Sequence, residues 1–243
     1  MKTKFQISSK VKPLLEEAER YFGKKVEFKD RSLDSQADYR ANDFSDPENG
    51  IIYYDPSTNY NSIDGQKKIA HELIHIIYFH KEKVLHPTPW EGLDAESKFL
   101  AERMAEFVED LFVLRDLESL GFGKDGRYKE RIEKIAKYIA KGYSPASLKF
   151  PRVPDSQQEL MAKQFAVICL MDKDLMTEKN FSILKLVTEA KFGPNSMKLF
   201  QDTANGLINI SNLNENLKNK VQKAQKYAFT KFGVRKLVKL SAS

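Results

Sequence analysis

The 243-residue sequence predicts an α+β fold that is predominantly helical. A small N-terminal sheet packs on a histidine-bearing helix and a long glutamate-bearing helix, and an all-helical C-terminal half follows. Three observations predict this. Both strand-like runs fall before residue 60. From about residue 64 onward the apolar residues recur at helical spacing. No stretch reaches the eighteen or so consecutive apolar residues of a membrane span.

The elements follow in order. "SKVKPLLEEAERYFG" is a helix with Leu14, Leu15, Ala18 and Tyr21/Phe22 on one side and Gly23 as its stop. "KKVEFKD" alternates Val26 and Phe28 with charged neighbours, the period of a half-buried strand. "QADYRAND" is polar and ambiguous. "GIIYYDP", bounded by Gly50 and Pro56, is β-branched and aromatic and reads as a second strand. "STNYNSIDG" is turn chemistry. Helices are then expected from near Gln66 to His80, from about Leu93 to Leu120, and over "RYKERIEKIAKYIAKG" with Gly142 as terminator. "YSPASLKFPRVP", residues 143–154, holds three prolines and reads as a linker. Beyond it come "DSQQELMAKQFAVICLMD", "TEKNFSILKLVTEAKFG" and a last helix from about Asn212. That helix has Leu213, Leu217, Val221, Ala224, Ala228 and Phe232 on one arc and Lys218, Lys223 and Lys226 opposite.

The net charge of +6 hides an asymmetry. Residues 1–120 hold 17 Lys and Arg against 23 Asp and Glu, whereas residues 121–243 hold 23 against 11. The expected division is therefore 1–122 and 123–243, the second a basic helical domain that could meet something acidic or merely solvate its surface with lysine. The single cysteine, Cys169 in "FAVICLM", reads as a buried, inert thiol. The N-terminus lacks the apolar core of a signal peptide, so a cytoplasmic location is the expectation, with no membrane partner.

Chemistry concentrates in "GQKKIAHELIHIIYFH", residues 65–80. Residues four apart on a helix are separated by 400°, so His71 and His75 point the same way and can share one ion at the ~2.0–2.1 Å zinc–nitrogen distance. Glu72 lies ~100° round from His71, placed to take a proton from the attacking water without ligating the metal. This is the division of labour in the H-E-x-x-H motif: two ligands and a general base. Ile69, Ala70, Leu73, Ile74, Ile76 and Ile77 make the helix apolar nearly all round. Three ionisable groups in such a helix need a reason, since unpaired polar groups there cost several kcal/mol. The expected cofactor is one Zn2+ per chain. The alternative is a pair of hydrogen-bonded core histidines beside a salt-bridged Glu72.

A catalytic zinc takes three protein ligands and keeps one position open. His80 lies about 180° from His71 and cannot join it. His86, in the loop "KVLHPTPW", could be a ligand, a transition-state donor or a surface histidine. The preferred third ligand is a carboxylate of the next helix, where "LAERMAEFVEDLF" sets Glu102 and Glu106 four apart. Leu100, Met104, Phe107, Leu111 and Leu114 form one stripe, while Phe99 and Val113 share the face of the two glutamates. A helix apolar on both sides suggests two packing partners. Glu102 is then expected on the metal and Glu106 behind a ligand histidine, with Glu96 the fallback and Glu109 a poor one. Against this stands the plainer reading, that both are solvated neighbours of Arg103 and Arg115.

These residues resemble a gluzincin, the thermolysin-like class of zinc peptidases. His71–Glu72–x–x–His75 is followed 27 residues later by Glu102–x–x–Ala105–Glu106, similar to that class's E-x-x-A-D with one extra methylene at the last position. A Gly-bounded strand, a short turn and "IAHELIHIIY" resemble more narrowly the ImmA/IrrE-type metallopeptidases, over roughly residues 10–118. The resemblance implies a hydrolase of peptide bonds in a specific intracellular protein, such as a transcriptional repressor. It makes "GIIYYDP" the sheet edge where an extended peptide adds, and requires an oxyanion donor, for which His86, Tyr54 and Tyr143 are candidates. A reading from another class is a regulatory protein with structural or no zinc, whose basic helices bind an acidic protein or nucleic acid.

Overall fold

The computed structural model describes residues 6–31, 44–85, 87–123 and 155–239. The helix expected over 127–142, the Pro-rich linker at 143–154, and His86 and Tyr143 lie outside the described residues. The chain packs as two bodies, Met1–Leu85 with Leu111–Lys124, and His86–Asp110 with Asp125–Ser243. The division thus departs from a single cut near 122, because one helix contributes to both bodies.

In the first body, α1 (Lys12–Phe22) ends at Gly23, whose φ of 79° is the left-handed cap that glycine adopts without strain. Val11, Leu14 and Ala18 are its buried side. Three strands follow, β1 (Glu27–Asp30), β2 (Phe44–Asp46) and β3 (Ile51–Tyr54), in the order β1-β3-β2. β1 pairs with β3 in parallel and β2 pairs with it antiparallel. The "GIIYYDP" strand is therefore central, and the expectation that it forms an open edge is corrected. Its backbone groups are engaged on both sides, Glu27 opposite Ile51 on one and Asp46 opposite Ile51 on the other. The sequence hid this because β2 is only three residues long, too short to show a period.

Helix α2 (Ile63–His80) begins one turn earlier than expected. Ser62 is the reason: its Oγ accepts from the Gly65 amide at 3.1 Å, satisfying one of the helix's orphan donors. Gly65 is needed there, since a Cβ would sit 2.3 Å from the Asn59 carbonyl oxygen. Ile69, Ala70, Leu73, Ile74, Ile76 and Ile77 are all buried, as the all-round apolar pattern demands. Gln66 is buried too, but its Nε2 donates to the carbonyls of Tyr60 and Gln6, so its burial is matched by hydrogen bonds.

Helix α3 (Ala95–Ser119) runs from the second body into the first. Asp94 Oδ1 accepts from the Ser97 amide at 2.7 Å and starts it. In the second body its earlier residues accompany α4 (Asp155–Met171), α5 (Glu178–Phe192), α6 (Ser196–Ser211) and α7 (Leu217–Lys231). The core there joins Met104 and Phe107 to Val167, Leu170, Phe200, Leu207, Val221, Ala228 and Phe229, all buried. Cys169 is buried among them, as expected. Helix α6 buries Met197, Phe200, Ala204, Leu207 and Ser211 at helical spacing and carries Gly206 within it. That glycine is a close approach, for a Cβ there would fall 2.2 Å from the Tyr227 hydroxyl of α7. Helix α7 starts at Leu217 rather than near Asn212, because Asn216 Oδ1 accepts from the Asn219 amide and caps it. A two-residue ladder, β4 (Thr88–Pro89) with β5 (Val238–Lys239), is the one departure from an all-helical second half among the described residues. The α+β, predominantly helical class stands. No helix of the described residues is long and apolar enough to cross a membrane.

Candidate metal centre

One turn of α2 separates His71 from His75, and their Nε2 atoms lie 3.2 Å apart. The rings are tilted edge to face, with centroids 4.9 Å apart. Two arms of ~2.0–2.1 Å at a tetrahedral angle put their nitrogens about 3.3 Å apart. The spacing is thus one that a single ion would impose, and equally one that an imidazole–imidazole hydrogen bond could occupy.

A carboxylate completes the group. His71, His75 and Asp110 each offer one ligand atom, all within 4.8 Å of one another. Asp110 is the last residue of α3 before the section that belongs to the first body. That section is held directly to α2, since the buried Tyr78 donates its hydroxyl to Asp116 Oδ2 at 2.7 Å. Asp110 and Asp116 share one unbroken helix, six residues and roughly 9 Å apart along its axis. Two imidazoles and one carboxylate suit zinc in a site with an open position, and the same set serves ferrous iron. The residues present fit a metal.

Glu72 is buried on the same helix, with 7% of its surface exposed. Ser45 of β2 donates its hydroxyl to Glu72 Oε2 at 2.8 Å. The hydrogen bond ties the carboxylate to the short edge strand. His80 is engaged elsewhere: its Nε2 meets the Pro47 carbonyl oxygen at 2.8 Å and its ring lies 5.0 Å from that of Phe22. It ties the end of α2 to the β2–β3 turn and leaves the metal group to the other two histidines, as the 180° offset requires.

Among the described residues, the other carboxylates expected as ligands are not part of this group. Glu102 is exposed on α3 and is not part of it. Glu106 is half-buried and pairs with Arg103, Oε2 to Nη1 at 2.9 Å, one turn along the same helix. The carboxylate brought to the histidines is Asp110, eight residues and about 12 Å further along α3 than Glu102. Glu109 is buried, at 3% exposure, in the second body. The Glu96 side chain is outside what is described. Tyr54 lies on β3, its ring edge-on to Tyr60 at 5.8 Å. The sequence signalled a carboxylate in this stretch without singling out Asp110. Met104, Phe107, Val108, Leu111, Phe112 and Val113 are buried on either side of Glu109 and Asp110. A carboxylate among them calls for a reason just as the histidines of α2 do.

Comparisons of this chain with protein-family models, with curated proteins and with solved structures each return no significant match.

Proposed function

We propose that this chain is a zinc-dependent endopeptidase that hydrolyses peptide bonds of a specific protein. The observation that carries the reading is the convergence of His71 and His75 Nε2 at 3.2 Å, with Asp110 as third donor and Glu72 beside them. Zinc held by these three residues would polarise a scissile carbonyl and lower the pKa of water at the open position. Glu72, adjacent in sequence to the first ligand, is the base that accepts the proton and returns it to the leaving amine. Ser45 holds one oxygen of that carboxylate. Among the described residues, β2 pairs with β3 on one side only. An extended peptide adding to its open side would run beside the base, which favours a peptide over a small molecule as substrate.

The Ser45–Glu72 hydrogen bond also favours a second reading. A glutamate buried and held by a serine has a structural use, and the metal site would then be non-catalytic. The experiment that separates the two measures zinc per chain together with new peptide N-termini. Wild type and Glu72→Gln are each incubated with a lysate of proteins and with a quenched-fluorescence peptide library. Metal in both, with cleavage only by wild type, supports the peptidase. Metal in both with identical products would leave a structural site.

A further inference from the structure

From residue 155 onward, the positive charge of the described residues is concentrated at the end. Residues 155–215 carry six lysines against eight acidic residues, whereas residues 216–239 carry eight Lys and Arg and no acid at all. That last segment is α7 and the turn after it. Val221, Ala224, Gln225, Ala228 and Phe229 are its buried side. On the opposite side Lys220, Lys223, Lys226 and Lys231 share an arc of about 140°. Lys218, Lys223, Lys226, Lys231, Arg235 and Lys236 are exposed.

A face that only solvates a helix carries both signs interspersed. This one works against the helix it covers. Lys220 and Lys223, and Lys223 and Lys226, are three apart, a spacing at which like charges repel. Lys218 and Lys220 lie in the first turn, where the helix dipole favours acidic residues, and that turn has none. Lys223 reaches the Glu215 carboxylate just before the helix and is the one cation of the row with a carboxylate ion pair among the described residues. An anionic ligand removes the repulsion and the dipole penalty together.

We infer that the exposed lysine face of α7 binds the phosphate backbone of duplex nucleic acid, without reading its sequence. Three considerations select this partner. The apolar side of α7 is buried in its own body, so nothing is left to enter a lipid surface. A protein partner needs an apolar or aromatic centre to the patch, and the one aromatic here, Tyr227, has its hydroxyl on the Asp202 carbonyl and Lys231 over its ring. Single strands need open stacking platforms, which this face lacks. What it offers is a row of cations about 16 Å long from Lys220 to Lys231, matched to a polymer with one charge per ~1.7 Å of axis.

The test is fluorescence anisotropy of a labelled mixed-sequence duplex with the full chain, across a salt series, beside Lys220→Glu/Lys226→Glu/Lys231→Glu. Neutralising about four phosphates gives a loss of roughly 100-fold in affinity between 50 and 200 mM salt. The triple variant should lose at least about tenfold at the lower salt while its circular dichroism stays that of wild type, and the neutral triple glutamine variant should fall between. No binding at 50 mM salt overturns the inference. So does binding that survives the reversal, which would lie with other cations, or binding that prefers poly-glutamate or a single strand to the duplex. None of these outcomes bears on the metal site, so this inference and the peptidase reading stand or fall apart.

Discussion

The Ser45 hydroxyl donates to Glu72 Oε2 at 2.8 Å, linking a three-residue edge strand to the middle of the histidine helix. The acceptor is a buried carboxylate, so this hydrogen bond belongs to the stronger, charge-assisted kind. Ser45→Ala should lower stability by about 1.5 kcal/mol, read as a shift of the urea midpoint at unchanged slope. A change below a few tenths would show that Glu72 is held by its other neighbours.

The metal set makes a sharper claim. His75→Ala and Asp110→Asn should each weaken zinc binding severely, while Glu102→Ala should leave it intact. Titration calorimetry on the three variants checks this. Equal losses in Glu102→Ala and Asp110→Asn would return Glu102 to the ligand set. In wild type, zinc at a hundred times its dissociation constant should stabilise the fold by about 2.7 kcal/mol, seen as a rise in Tm that the His75 variant lacks.

Gly65 is a packing position rather than a flexible one. A Cβ there would meet the Asn59 carbonyl oxygen at 2.3 Å and the Tyr60 Cα at 2.5 Å, both backbone atoms that cannot swing aside. Gly65→Ala should cost about 2 kcal/mol or more despite alanine's better helix propensity. Because the first turn of α2 must shift, its zinc affinity should fall as well. A variant as stable as wild type would mean that the turn before α2 relaxes freely.

Acid stability has one traceable contribution. The hydroxyl and amide of Ser57 both donate to Asp55 Oδ1, and with Arg31 and Lys68 nearby they hold its carboxyl below the usual aspartate value. A carboxylate whose pKa is lowered on folding adds stability above its unfolded pKa of about 4 and loses it as pH falls through the folded value. Wild type should therefore lose more stability than Asp55→Asn between pH 5 and pH 3. Parallel urea midpoints for the two proteins across that window would contradict it.

Much of this was legible in the sequence because it is local. The 400° between His71 and His75, the place of Glu72 beside His71 and the all-round burial of α2 follow from helix geometry and composition alone. The same holds for the exposed Lys218, Lys223 and Lys226 of α7. Two things needed the tertiary structure. Strand order was one: a three-residue strand carries no period, so only pairing made β3 central and left β2 at the edge beside Glu72. The carboxylate that joins the two histidines was the other. Along α3, Glu102, Glu106, Glu109 and Asp110 are chemically near-equivalent, and a helix rises only about 1.5 Å per residue. Which of them meets the histidines depends on the axial register of α3 against α2, and the Tyr78–Asp116 hydrogen bond shows where that register lies. Periodicity fixes the direction in which a side chain leaves its helix, and packing alone decides how far along a neighbouring helix it arrives.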